Sequence, residues 1–302
     1  MTAGIAPRAH LVERAIEAMG AMPLARPMPP PVERRLAEVL GAPEAPAAAP
    51  VHRRPAIAMA RLQEAGLGLS LEASQRSKMM EELALIQHPL LRAVAPAPGE
   101  ARALAARRQV IMVTSAKKGE GKSFASLNLA ANIAATTAQH VLLVDVDGGP
   151  SSLSRRLGLM SERGLMTLAA EPGQPKEALL LPTAIERLSV LPHGRLGTGP
   201  SRPPAADALC MAIRSLAVAL PGHLLILDTP PVLSTSDAQA LASAVGQVVV
   251  VVRAESTQRD EVEAALDLVE ACPVLHLLLN HSRLATNDSF GAHGEYGASL
   301  DD

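Results

Sequence analysis

From about residue 108 the chain alternates short, mostly apolar runs with stretches of helical spacing. Residues 110–113, 141–144 and 224–227 are continuous apolar runs of strand length, 247–252 is apolar after Gln247, 189–191 is a shorter strand candidate, and 274–279, apolar but for His276, is the last. Residues 123–135, 206–219, 237–245 and 260–270 read as helices between them. Strands that are apolar on both faces and alternate with helices predict an α/β fold: a mostly parallel sheet with helices on both faces. Such sheets bind ligands beyond the carboxyl ends of their strands.

The part before residue 108 has a different pattern. Residues 9–19 suggest a short amphipathic helix with Leu11, Ile16 and Met19 near one face. Residues 21–60 carry nine prolines among many alanines, a composition that does not build a regular core. Residues 72–93 regain helical spacing through Met79, Leu83, Ile86 and Leu90, with Pro89 expected to kink or end that helix. Residues 94–100 are a second Pro/Gly stretch. The expected organisation is a short helix at 1–20, a Pro/Ala-rich, partly disordered linker at 21–71, a folded domain at 72–286 and a flexible tail at 287–302.

Composition narrows the function. The net charge of −2 over 302 residues does not favour nucleic acid or an acidic membrane as the main partner. Phe124, Phe290 and Tyr296 are the only aromatic residues, so the chain has almost nothing to offer as a base-stacking platform. Cys210 and Cys272 give neither a disulfide framework nor metal-ligand spacing, which fits a reducing cytoplasm. No run approaches the roughly 18 apolar residues of a membrane span, and Glu13 and Glu17 interrupt any signal-like layout at the start. The expectation is a soluble, cytoplasmic protein that meets a membrane only through a partner, at the inner face of the plasma membrane.

The candidate chemistry follows the first strand. Residues 114–123 read Thr-Ser-Ala-Lys-Lys-Gly-Glu-Gly-Lys-Ser and lead into a helix. The phosphate-loop pattern G-x-x-x-x-G-K-[ST] is met at its second glycine, lysine and serine, with Ala116 in place of the first glycine. Gly119 and Gly121 let backbone N–H groups approach phosphate oxygens closely, and the helix N-terminus adds partial positive charge. Lys122 would neutralise β- and γ-phosphate oxygens, and the Ser123 hydroxyl would ligate Mg²⁺. Asp145 and Asp147 follow the second apolar strand and Asp228 follows the run 224–227, all at the sheet edge that carries the loop. Asp145 and Asp228 are the candidates for holding the metal or its waters.

Residues 114–123, 141–147 and 224–231 resemble the Walker A, Walker A′ and Walker B motifs of bacterial tyrosine kinases, within the MinD- and ParA-like P-loop ATPases. The likeness is to tyrosine autokinases of exosortase and exopolysaccharide systems, and it spans roughly residues 72–300. The resemblance implies a P-loop NTPase fold that uses ATP and Mg²⁺. It implies that Gly119, Glu120, Gly121, Lys122, Ser123 and Phe124 wrap the phosphates and that Asp145, Asp147 and Asp228 assist the metal and the acceptor. It further implies that Asn280 reads the adenine edge and that Lys117 reaches a partner subunit's phosphates. The implied partners are a membrane polysaccharide co-polymerase (chain-length determinant) and further copies of the chain in a dimer or ring. The phosphoacceptor that the resemblance implies is Tyr296.

Three positions depart from that family. Gly149 stands where an arginine follows the second A′ aspartate, and Ala84 and Gln87 stand where basic residues serve ring assembly. The tail holds the single tyrosine Tyr296 instead of a cluster. These departures leave a second reading open, a nucleotide-driven switch with little or no kinase activity. A third, a MinD- or ParA-type positioning ATPase, is opposed by the net charge and the acidic end Asp301-Asp302.

Overall fold

The computed structural model describes residues 56–68, 78–95, 99–195 and 204–282. The helix expected at 9–19, the prolines at 21–55 and the tail with Tyr296 lie outside the described residues.

The six expected strands and one short strand that was not expected form one seven-stranded sheet. Its members are β1 (Val110–Ser115), β2 (His140–Asp145), β3 (Leu181–Pro182), β4 (Leu188–Leu191), β5 (His223–Asp228), β6 (Gln247–Arg253) and β7 (Leu275–Asn280). The order is β3-β4-β2-β5-β1-β6-β7, parallel throughout except for the two-residue β3, which pairs antiparallel with β4. β1 lies between β5 and β6 and is buried at all six positions. β7 closes the sheet as an edge strand, with Leu275, Leu277 and Leu279 exposed on one face.

The period of two along each strand divides its apolar residues between two cores. Met112, Leu142, Val144, Leu225, Leu227, Val248 and Val250 face one layer, built on α7 (Ala206–Ala219), α8 (Asp237–Ala244) and α9 (Arg259–Val269). Ile111, Val113, Val141, Leu143, Ile226, Val249 and Val251 face the other, built on α4 (Lys122–Thr136) and α2 (Lys78–Val94). α4 is small-residue rich and buried on nearly every side, as expected of a helix sandwiched between a sheet and another helix. Short helices α5 (Leu153–Arg156) and α6 (Leu165–Ala170) lead from β2 towards β3.

The region before β1 corrects the sequence reading in two places. Residues 56–68 fall inside the stretch assigned as linker to residue 71, yet they belong to the folded domain. Ile57 bridges to Thr183 beside β3, and α1 (Met59–Glu64) follows. Ile57, Leu62, Ala65 and Leu67 are buried in the α4 core, and the Asn128 side chain of α4 fixes the segment. Its amide donates to the Gly66 carbonyl at 3.0 Å, and its oxygen accepts the Gly68 N–H at 2.9 Å. Six helical residues are too few to show periodicity, and the proline content of residues 21–55 masked a segment held by contacts distant in sequence. The second correction is α3 (Arg102–Arg108), which immediately precedes β1 and was not anticipated.

The helix read at 72–93 is present from Lys78, and Pro89 lies inside it without ending it. Gln87 on this helix accepts from the Asn132 amide at 2.8 Å and donates to the Thr136 hydroxyl at 3.4 Å. Its polar groups therefore serve the α2–α4 contact.

Leu62 is fully buried. Leu62→Ala should cost about 2–5 kcal/mol of unfolding free energy, read from the denaturant midpoint. A surface-like change of under about 0.5 kcal/mol would contradict membership of this segment in the core.

Candidate nucleotide site

The loop between β1 and α4 carries the phosphate-loop residues. Gly119 and Gly121 adopt φ values of +92° and +97°, which a side chain resists. Gly121 precedes the first helical residue Lys122, so the free N–H groups of the first α4 turn point out of the loop. Ala116, in place of the usual first glycine, is fully buried and packs into the core beneath the loop. Ser115 and Thr114 fix the entry: the Ser115 hydroxyl donates to the Lys117 carbonyl at 2.7 Å and Thr114 to the Pro230 carbonyl at 2.9 Å.

Register brings the acids together. Asp145 ends β2 and Asp228 ends β5, and the two are paired directly across the parallel ladder. Both are fully buried. Asp145 accepts the Ser154 N–H at 2.6 Å and the Asp147 N–H at 3.2 Å. Asp228 Oδ1 accepts the Ser126 hydroxyl at 3.2 Å, whereas Oδ2 has no hydrogen-bond partner among the described residues. Burial, and then the charge of Asp228, push the Asp145 carboxyl up to about 8. Burial also raises Asp228, to about 6, against the pull of Lys122 and of the Ser123 and Ser126 hydroxyls.

Lys122 Nζ pairs with Asp147 Oδ2 at 3.1 Å, and both side chains are largely buried. Asp147 Oδ1 accepts the Gly149 N–H at 2.9 Å, so Gly149 contributes its backbone where the resembled family carries an arginine. The lysine, the serine and the three acids of the sequence reading therefore meet at the ends of β1, β2 and β5. A buried carboxylate oxygen without a partner, beside the Ser123 hydroxyl and a second buried carboxylate, fits a hard cation. Among the described residues no three His, Cys, Asp or Glu side chains converge as a metal cage.

Other expected residues sit differently. The Phe124 ring lies against the 56–68 segment, 3.7 Å from where a Cβ on Gly66 would stand. Asn280 has both polar atoms engaged: Nδ2 donates to the Glu120 carbonyl at 2.9 Å and Oδ1 accepts the His281 N–H at 2.9 Å. In this arrangement its amide braces the phosphate loop. Lys117 Nζ is paired with Glu261 of α9 at 2.7 Å.

Sequence reasoning missed Ser126, Ser154, Thr257 and His193. The hydroxyl of Ser126 sits one helical turn beyond Lys122, a spacing that could have flagged it. His193 stands over the A′ loop, its Nε2 2.6 Å from where a Gly148 Cβ would be, and burial holds its pKa below the usual histidine value. Its backbone N–H donates to the Ser154 hydroxyl at 2.8 Å, a tie between residues 39 apart in sequence.

Residues 111–292 match the CobQ/CobB/MinD/ParA nucleotide binding domain family. The chain is similar to tyrosine-protein kinase YwqD of Bacillus subtilis (strain 168), 28% identical over 186 residues that cover 61% of this chain and 77% of that protein. It is also similar to tyrosine-protein kinase wzc of Salmonella typhi, 32% identical over 165 residues, which cover 53% of this chain and only 22% of that protein. Among solved structures, the chimerical protein CapA2B2 superposes with a TM-score of 0.55 at 25% identity, covering 82% of this chain and 97% of that chain.

The raised acids give a signed pH dependence. Between the usual carboxylate value of 3.8 and about 8 the folded state holds a proton that the unfolded state releases. That contribution to stability is present at low pH and is lost as pH rises towards 8. In nucleotide-free protein with EDTA, the melting temperature should therefore fall from pH 6 to 8. Asp228→Asn should flatten that fall and raise stability at pH 8 by on the order of 1 kcal/mol. An unchanged slope in the variant would contradict the coupled pair.

Proposed function

Because the chain belongs to the CobQ/CobB/MinD/ParA nucleotide-binding family, we propose that it is an ATP-dependent protein-tyrosine autokinase of an exopolysaccharide system. The observation that carries this reading is the Lys122–Asp147 pair over the buried acids Asp145 and Asp228. The kinase names of its relatives support the choice of tyrosine as acceptor.

Phosphoryl transfer asks the protein mainly for position and charge. The N–H groups of the loop and of the first α4 turn hold the polyphosphate, and Lys122 exchanges Asp147 for phosphate oxygens. Ser123, Asp145 and Asp228 would hold Mg²⁺, which supplies charge neutralisation between the phosphates. Asp147, released from Lys122, accepts the proton of the tyrosine hydroxyl. The acceptor is Tyr296, presented by another copy of the chain. Regulation comes through a membrane polysaccharide co-polymerase at the inner face of the plasma membrane. Among the described residues no helix is long and apolar enough to cross a membrane itself.

A second reading, a nucleotide switch without kinase activity, is favoured by Gly149 and by the single tyrosine. With one acceptor, phosphorylation adds only about −1.5 to −2 charges to the tail.

One assay separates them. Full-length protein incubated with ATP and magnesium should gain phosphotyrosine, and both Lys122→Met and Tyr296→Phe should abolish the signal. ATP hydrolysis without phosphotyrosine, in the presence of the co-polymerase's cytoplasmic segment, would establish the switch instead.

A further inference from the structure

Glu120 presents a chemical problem. It lies in the loop that is to surround a polyphosphate, yet it carries a negative charge, and it is only 3% exposed. A carboxylate there would repel phosphate unless it were turned away and neutralised by hydrogen bonds. Both of its oxygens are so engaged. Oε2 accepts the backbone N–H of Lys117 at 2.6 Å, and Oε1 accepts the Thr257 hydroxyl.

Thr257 belongs to the connection between β6 and α9, a segment the sequence reading left without a role. That connection is itself well tied. The Thr257 oxygen accepts the Arg253 N–H at 3.2 Å, the Thr257 N–H reaches the Arg253 carbonyl at 3.1 Å, and the Ala254 N–H reaches the Asn280 carbonyl at 2.8 Å. The phosphate loop, by contrast, contains two glycines in left-handed conformations, and around Gly119 a Cβ would meet nothing within 4 Å. Such a loop gains little rigidity from its own packing.

We infer that Thr257 is a positioning residue for the nucleotide site, acting through the Glu120 carboxylate to hold residues 117–121 in their phosphate-binding shape before nucleotide arrives. The mechanism is preorganisation: ordering entropy is spent in folding and not in binding. The Thr257–Glu120 bond joins a hydroxyl to a carboxylate, the stronger class of hydrogen bond. This inference rests on the nucleotide-binding reading of the loop.

The test uses the full chain and ATP with magnesium, with affinity measured by titration calorimetry. Thr257→Val should weaken ATP binding about tenfold, and Thr257→Ser, which restores the hydroxyl, should bind within about twofold of wild type. In nucleotide-free protein, Thr257→Val should speed amide hydrogen exchange at residues 117–121 while exchange in the β1 and β5 strands stays unchanged. On a Glu120→Ala background, Thr257→Val should add no further loss, because the path through the carboxylate is already gone. Thr257→Val binding like wild type would overturn the inference alone. So would losses that multiply in the double variant, which would mean direct contact with the ligand. Absence of ATP binding by the wild-type chain would overturn the nucleotide reading and this inference with it.

Discussion

Two carboxylates held side by side in a buried layer set the terms for the rest of the structure. Asp145 and Asp228 are opposite each other because β2 and β5 are parallel neighbours in fixed register, and they are buried because helices cover both faces of the sheet. Neither can carry full charge without compensation. Serine hydroxyls, the Ser154 N–H and Lys122 supply part of it. The partnerless Asp228 oxygen shows that the compensation is incomplete, and a cation would complete it. The arrangement is a fold that tolerates local electrostatic strain because its apolar layers are extensive.

The elements that position this strain were largely legible in the sequence. The six longer strands and the four longer helices after β1 could be placed to within a few residues, because continuous apolar runs mark strands buried on both faces, whereas β3, α5 and α6 were not anticipated. Asp145, Asp147 and Asp228 were legible because they lie at or just past the point where an apolar run stops, and Lys122 and Ser123 because they complete the phosphate-loop motif. What was not legible depends on contacts distant in sequence. Nothing local in residues 56–68 reveals the bridge to Thr183 or the Asn128 tie. Nothing in the string around Asn280 shows that its amide turns to the Glu120 carbonyl. Phe124 was assigned by its place in a motif, and its ring proves to serve packing.

The loop's surroundings show how one helix can serve two ends. Glu261 accepts the Gln258 N–H at the start of α9 and also pairs with Lys117. The same carboxylate thus caps a helix and occupies Lys117, a loop lysine that is not paired with the buried acids. If Lys117 turns towards a phosphate, Glu261 keeps its capping bond, so the lysine can leave without unwinding the helix.

The tie between Asn128 and the Gly66–Gly68 backbone has a consequence for where this protein may be cut. Composition places the edge of the domain near residue 72, but the three-dimensional edge lies before Ile57. A version trimmed at the compositional edge would lose Leu62 and Leu67 from beneath α4, strip the Asn128 amide of one of its two acceptors and leave the Thr183 end of the sheet uncovered. Because α4 begins at the phosphate loop, damage from such trimming would be mistaken for a defect in ligand affinity. Deletion boundaries in this chain should be drawn from its buried contacts, upstream of its last N-terminal proline-rich stretch only as far as those contacts require.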